Sequence, residues 1–131
     1  MHELKIVRER RSGYGLLRRF RSSADVHEAF REHFGLLDRE EFVVLLLDAK
    51  NAFIGFNVPS IGSLTSSLVH SREVFKPAVL SNAAAMILVH NHPSGDPVPS
   101  QEDVHITRRI QEIGEVFDIR VLDHIIFGEG K

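Results

Sequence analysis

Residues 90 to 103 read His90-Asn91-His92-Pro93-Ser94-Gly95-Asp96-Pro97-Val98-Pro99-Ser100-Gln101-Glu102-Asp103. Neutral imidazole and carboxylate are ligands for divalent cations such as zinc. Two histidines at i and i+2 on an extended chain project to the same side. If Asp103 joined them from a following helix, the three donors would fill three corners of a zinc tetrahedron. The fourth corner would stay open to water, as catalytic zinc requires. The same donors would also accept iron, manganese or nickel. Each feature alone has an ordinary explanation. Ser100-x-x-Asp103 fits a helix capping box, Pro and Gly clusters make turns, and a lone histidine at a strand end is commonly just hydrogen-bonded. Their conjunction points to a shared cause.

Such a site needs elements that converge. Residues 84–90 (AAMILVH) read as a central strand, which puts the histidines where a buried strand runs out. Pro93 biases His92 towards extended backbone, and Gly95 with three prolines turns the chain back. Ser100 then caps a helix from Gln101 to about Ile113, with Ile106, Ile110 and Ile113 on one face and Gly114 as its stop. Asp96 reads as a loop-shaping residue that bonds backbone amides, not as the third ligand.

The remaining elements follow from hydrophobic patterning. Residues 41–48 (EFVVLLLD) form a near-continuous apolar run, expected for a strand buried on both faces. Lys50-Asn51 is a turn, and residues 53–58 (FIGFNV) form a second strand paired with the first. Ser60 to Thr65 reads as a third strand or a loop. Ser71 opens a helix containing Val74, Phe75, Ala78, Val79 and Asn82, with Pro77 able to kink it. Residues 118–127 (DIRVLDHIIF) form the last strand. Upstream, residues 3–9 alternate as an edge strand and residues 11–21 form a loop. Ser23 caps a helix over Ala24–Phe34 that stops at Gly35. The expected fold class is α/β, a single mixed β-sheet with helices on both faces.

The 131 residues suit one domain, and 43% hydrophobic content supplies one core. The absence of cysteine excludes disulfides, thiolate zinc sites and a cysteine nucleophile. No signal peptide or membrane-length apolar run is visible, so the expected location is cytoplasmic with no membrane partner. Net charge of −2 exerts no general pull on nucleic acid. Seven basic residues against one acid between Lys5 and Arg21 read as a solvated face, or as an arm able to touch phosphates.

The spacing His-x-His, seven residues, Ser, two residues, Asp resembles the JAMM signature of the MPN (JAB) metalloprotease superfamily. The runs HNHPSGDPVPSQEDV, REEFVVLLLDAKN, HSREVFKPAVLSNAAAMILVHNHPSG and VLDHIIFG are similar to its RadC branch. The likeness spans roughly residues 23–128, within a domain taken as 23–131, with 1–22 as an N-terminal basic segment or edge strand. A RadC chain commonly carries a helix-hairpin-helix segment before this domain. None is visible here, which implies a stand-alone member or a trimmed chain.

The resemblance implies a three-layer JAB/MPN-like, cytidine-deaminase-like arrangement. It implies zinc on His90, His92 and Asp103, and Ser100 as a donor to the oxyanion of a cleaved amide. It also implies an upstream glutamate as general base, Glu40 first, Glu41 second and Glu73 third, although the start of a helix already accounts for Glu73. The implied reaction is hydrolysis of a peptide, isopeptide or related amide. His70, His105 and His124 are expected outside the site, with Asp123-His124 a packed or hydrogen-bonded pair.

The competing reading is a DNA-associated protein, since RadC-like proteins carry a DNA-repair label, with a metal site of non-peptidase or structural role. The adjacent letters HNH do not make an HNH nuclease, whose letters come from residues dispersed over a ββα unit. A nucleobase deaminase wants His-x-Glu and Pro-Cys-x-x-Cys, which a chain without cysteine cannot provide. A metal-free binding module is disfavoured by the complete donor set.

Overall fold

The structure is a computed structural model that describes residues 40–61, 69–92 and 98–127. The apolar run after Glu41 forms β1 (Glu41–Leu47), in which every residue from Phe42 to Leu47 is buried. Ala85–Asn91 forms β3, buried along its whole length. β1 pairs antiparallel both with β3 and with β2 (Phe53–Ile61), and β3 pairs in parallel with β4 (Arg120–Phe127). The order β2-β1-β3-β4 makes one mixed sheet. The two inner strands are the two continuous apolar runs, because a strand covered on both faces has no polar side to alternate with.

The β1–β2 hairpin turns on Asp48, whose Oδ1 accepts from the backbone N–H groups of Lys50 and Ala52 at 2.8 and 2.9 Å. Asn51 takes a left-handed φ of 62° there, which asparagine tolerates. β2 runs past residue 58: Ser60 and Ile61 pair with Phe42 and Glu41. The reading of 60–65 as a third strand or a loop is corrected for its first two residues, which continue β2. Residues 62–65 lie outside the described set.

Two helices pack on one face of the sheet. Val74, Phe75 and Ala78 of α1 (Ser71–Leu80) and Ile106 and Ile110 of α2 (Gln101–Phe117) meet Phe42, Val44, Leu46, Met86 and Leu88. On the opposite face Val43, Leu45, Leu47, Phe53, Ile87, Val89 and Phe127 form a second buried cluster. The expected strand 3–9, loop 11–21 and helix 24–34 lie outside the described residues, as do Asp96 and the boundary at residues 22 and 23.

Pro77 lies inside α1, as its place in the expected helix implies. Proline lacks the N–H that would bond Glu73 four residues back, and the Glu73 carbonyl accepts instead from Asn57 Nδ2 of β2 at 3.3 Å. Asn82 is not inside the helix. It stands just past the end with φ of 59°, and Ala83 N–H donates to the Ala78 carbonyl in a Schellman-type close. Gly114 does not end α2, which runs to Phe117 and closes through Asp118 in the left-handed region. Glycine is required at 114 for a different reason: a Cβ there would lie 2.4 Å from the Ile119 carbonyl oxygen. Among the described residues, no helix is long and apolar enough to cross a membrane.

Candidate metal centre

β3 carries His90 to the C-terminal end of the sheet, on the face of Phe42, Leu88 and the helices. The Phe42 ring lies stacked against it at 6.2 Å. His92 follows the strand, and its N–H donates to the Phe127 carbonyl of β4 at 2.8 Å, which keeps the backbone extended past the last ladder pair. α2 approaches the same point with its N-terminus. Ser100 is the N-cap, and its Oγ accepts from Asp103 N–H at 3.1 Å. In return the Ser100 N–H donates to Asp103 Oδ2 at 2.7 Å. The capping box is therefore present, and it is also what orients the carboxylate.

The three side chains converge. His90 Nε2 lies 3.0 Å from Asp103 Oδ1. His92 Nε2 lies 3.1 Å from Asp103 Oδ2 and 2.8 Å from His90 Nε2. His90 is fully buried and Asp103 nearly so, while the His92 side chain retains 14% exposure and marks the side that faces solvent. His90, His92 and Asp103 thus form a group that could hold a metal ion. Zinc bonds of about 2.0–2.1 Å in a tetrahedron set neighbouring donors about 3.3 Å apart. The two histidine nitrogens, 2.8 Å apart, would open by about half an ångström, and a single Asp103 oxygen would turn to face both.

The electrostatics suit a cation. Burial, reinforced by the adjacent His124 ring and opposed by Asp103, pushes His90 down from 6.5 to about 3. Burial likewise takes His124 down to about 4. Burial alone would raise Asp103, but the hydrogen bonds from Ser100 and the two neighbouring histidines hold it below its ordinary value. At neutral pH the pocket therefore presents an ionised carboxylate and an uncharged His90. The α2 N-terminus favours that negative charge.

Of the other expected site residues, Ser100 is in place beside Asp103. Glu40 immediately precedes β1, and Glu41 begins it, its N–H donating to Asn91 Oδ1 at 2.8 Å. Glu73 is half-exposed, with its carboxylate 3.6 Å from Arg72 Nε. His70 and His105 are exposed. His124 departs from expectation. Asp123 Oδ1 accepts from the backbone N–H of His124, at 2.8 Å. The His124 ring instead contacts His90 Nδ1 at 2.8 Å and the Thr107 hydroxyl. The sequence signal for Thr107 was its place four residues after Asp103 on one helix face. For His124 there was no such signal: Ile119 and Val121 pack on the helix-side core, and only the register shift after Val121 brings His124 to that same side. A cavity of about 220 Å³ beside this cluster is lined by Pro99, Val104, Thr107, Arg108, Gln111 and Ile126 among others.

Residues 20–131 match the RadC-like JAB domain family. The chain belongs to that family. It is 58% identical over 117 residues to a UPF0758 protein of Pelobacter propionicus, covering 88% of this chain and 50% of that protein. A UPF0758 protein of Syntrophomonas wolfei is 55% identical over 121 residues, and one of Geobacter sulfurreducens 54% over 115, covering 87% and 86% of this chain and 50% and 49% of theirs. The chain spans about half the length of the curated relatives it matches. In this RadC-like JAB domain the fold brings His90, His92 and Asp103 together as a group that could hold a metal ion.

Proposed function

We propose that this RadC-like JAB domain is a zinc-dependent hydrolase of peptide, isopeptide or related amide bonds. The observation that supports it most is the convergence of two imidazoles, His90 held uncharged by burial, and one ionised carboxylate on a point open to solvent on the His92 side. A divalent cation held there supplies Lewis acidity towards a carbonyl oxygen and lowers the pKa of a water. The rest of the chemistry falls to the chain itself.

Glu40 is the proposed general base. Phe42 pairs with His90 across the β1–β3 ladder, so both side chains share one face. Glu40, two residues before Phe42, falls on that same face by alternation, and Glu41 on the opposite one. Glu40 would take a proton from the attacking water and return it to the leaving amine, assistance worth roughly 10²–10⁴-fold. Ser100 Oγ already accepts from Asp103 N–H, so its own proton is free to donate to an oxyanion. The cavity lined by Val104, Arg108, Gln111 and Ile126 offers a mixed apolar and polar wall for a residue next to the scissile amide.

The test is cleavage of a mixed peptide and isopeptide library, followed by mass spectrometry. Zinc-loaded protein should cleave, and the same protein stripped by chelator should not. Zinc-loaded protein that cleaves no amide would refute the hydrolase reading. The DNA-associated alternative draws on the basic stretch between Lys5 and Arg21, which lies outside the described residues.

A further inference from the structure

Behind the three converging side chains runs a chain of contacts: Asp103 carbonyl, Thr107 hydroxyl, His124 ring, His90 ring. Thr107 Oγ1 lies 2.7 Å from the Asp103 carbonyl oxygen and in contact with His124 Nδ1. His124 Nε2 lies 2.8 Å from His90 Nδ1. The direction of every bond follows from one end. A carbonyl oxygen only accepts, so the single hydroxyl proton of Thr107 goes to Asp103. Thr107 Oγ1 must then accept from His124, which places the His124 proton on Nδ1. His90 is fully buried and the His124 ring lies directly against it, so a charged ring would give up its water beside another imidazole, and each ring carries a single proton. His124 Nε2 is therefore a bare lone pair and accepts from His90 Nδ1–H. A neutral imidazole carries one N–H, so His90 Nε2 is left bare, 3.0 Å from the ionised Asp103 Oδ1. Two acceptors facing one another at that distance would be balanced by a cation, or by a proton shared with His92 Nε2 at 2.8 Å from His90 Nε2.

We propose that Thr107 and His124 are positioning residues that lock His90 in its Nδ1–H tautomer, so that its Nε2 faces the cation site as a ligand. What the tautomer is for rests on the metal-site reading; the tautomer itself does not. The arrangement is self-consistent because α2 supplies both ends. Asp103 brings the carboxylate, and Thr107, one turn on, anchors the chain to the Asp103 carbonyl. The Phe42 ring braces both histidines, stacked on His90 and edge-on to His124 at 5.8 Å. Outer partners of this kind, when removed, typically cost 10–100-fold in metal affinity.

The test reads ring protonation directly, by long-range proton–nitrogen NMR of the chelator-stripped chain at pH 7, and zinc affinity by competition with a chromophoric chelator. The wild type should show His90 and His124 both protonated at Nδ1. Thr107→Val removes the acceptor for His124 Nδ1–H. Its protonation should move to Nε2, the His90 proton should follow to Nε2, and zinc affinity should fall about 10–100-fold. Thr107→Ser, which keeps the hydroxyl, should restore both. A wild-type His90 protonated at Nε2 would overturn the proposal, as would Thr107→Val with unchanged ring signals and unchanged zinc affinity. Should Thr107→Val not fold, the wild-type spectrum decides alone. A wild type that binds no zinc defeats the metal reading, while its ring spectrum still answers for the tautomer.

Discussion

Asp103 Oδ2 receives the Ser100 N–H at 2.7 Å and stands 3.1 Å from His92 Nε2, so one oxygen serves both a helix cap and the cation site. Ser100→Ala separates the two roles, because it deletes the hydroxyl and keeps the N–H. Loss of the cap should cost about 1 kcal/mol of stability. Metal binding should persist, and turnover should fall by about 10²–10³ if the hydroxyl donates to the oxyanion. Chemical denaturation, metal titration and single-turnover cleavage measure the three independently. Unchanged turnover would confine Ser100 to capping.

Glu40 and Glu41 are adjacent in sequence, and the alternation of β1 carried back one residue sets them on opposite faces. Glu40→Gln should retain metal and lower kcat by at least about 10²-fold. Glu41→Gln should leave kcat within a few-fold. The reverse pattern would transfer the base role to Glu41 and contradict the alternation of β1.

Acid should destabilise the metal-free protein by a predictable route. His90 and His124 fall from 6.5 in the unfolded chain to about 3 and about 4 in the folded one. Below pH 6.5 the unfolded state therefore binds more protons, and stability drops as pH falls towards those folded values. The loss approaches about 1.4 kcal/mol per pH unit for each histidine. Asp103, held low, adds a loss in the same direction below 3.8. Thermal unfolding of chelator-stripped protein between pH 7 and 4 reads the slope, and a flat profile over that window would contradict burial of the two neutral rings.

Gly114→Ala should destabilise α2 and its return to β4. The new Cβ would meet backbone, the Ile119 carbonyl oxygen at 2.4 Å, which a rotamer change cannot relieve. A cost of about 1–3 kcal/mol is expected in urea unfolding. Neutral behaviour would mean that the helix terminus shifts freely.

The candidate metal centre was readable because its three side chains are local in sequence. His90 and His92 ride on one strand end, and the capping pattern announces where Asp103 begins its helix. The strands were readable from apolar runs, with bounds off by up to three residues where pairing, as at Ser60 and Ile61, extended β2 beyond its apolar segment. Gly114 misled because a glycine that permits close packing looks the same in sequence as one that stops a helix. Likewise, Asn82 could be read as helical until its left-handed φ showed that it closes α1. His124 was hidden for a different reason. It reaches His90 through the parallel pairing of β3 and β4 across 34 residues, and no local pattern distinguishes it from an ordinary strand histidine.

Metal content of the purified protein addresses the central claim most directly. Elemental analysis of the wild type beside His92→Ala should find near-stoichiometric zinc in the first and almost none in the second, with both folded by circular dichroism. A folded wild type that carries no metal and takes up none on exposure to zinc would contradict the account.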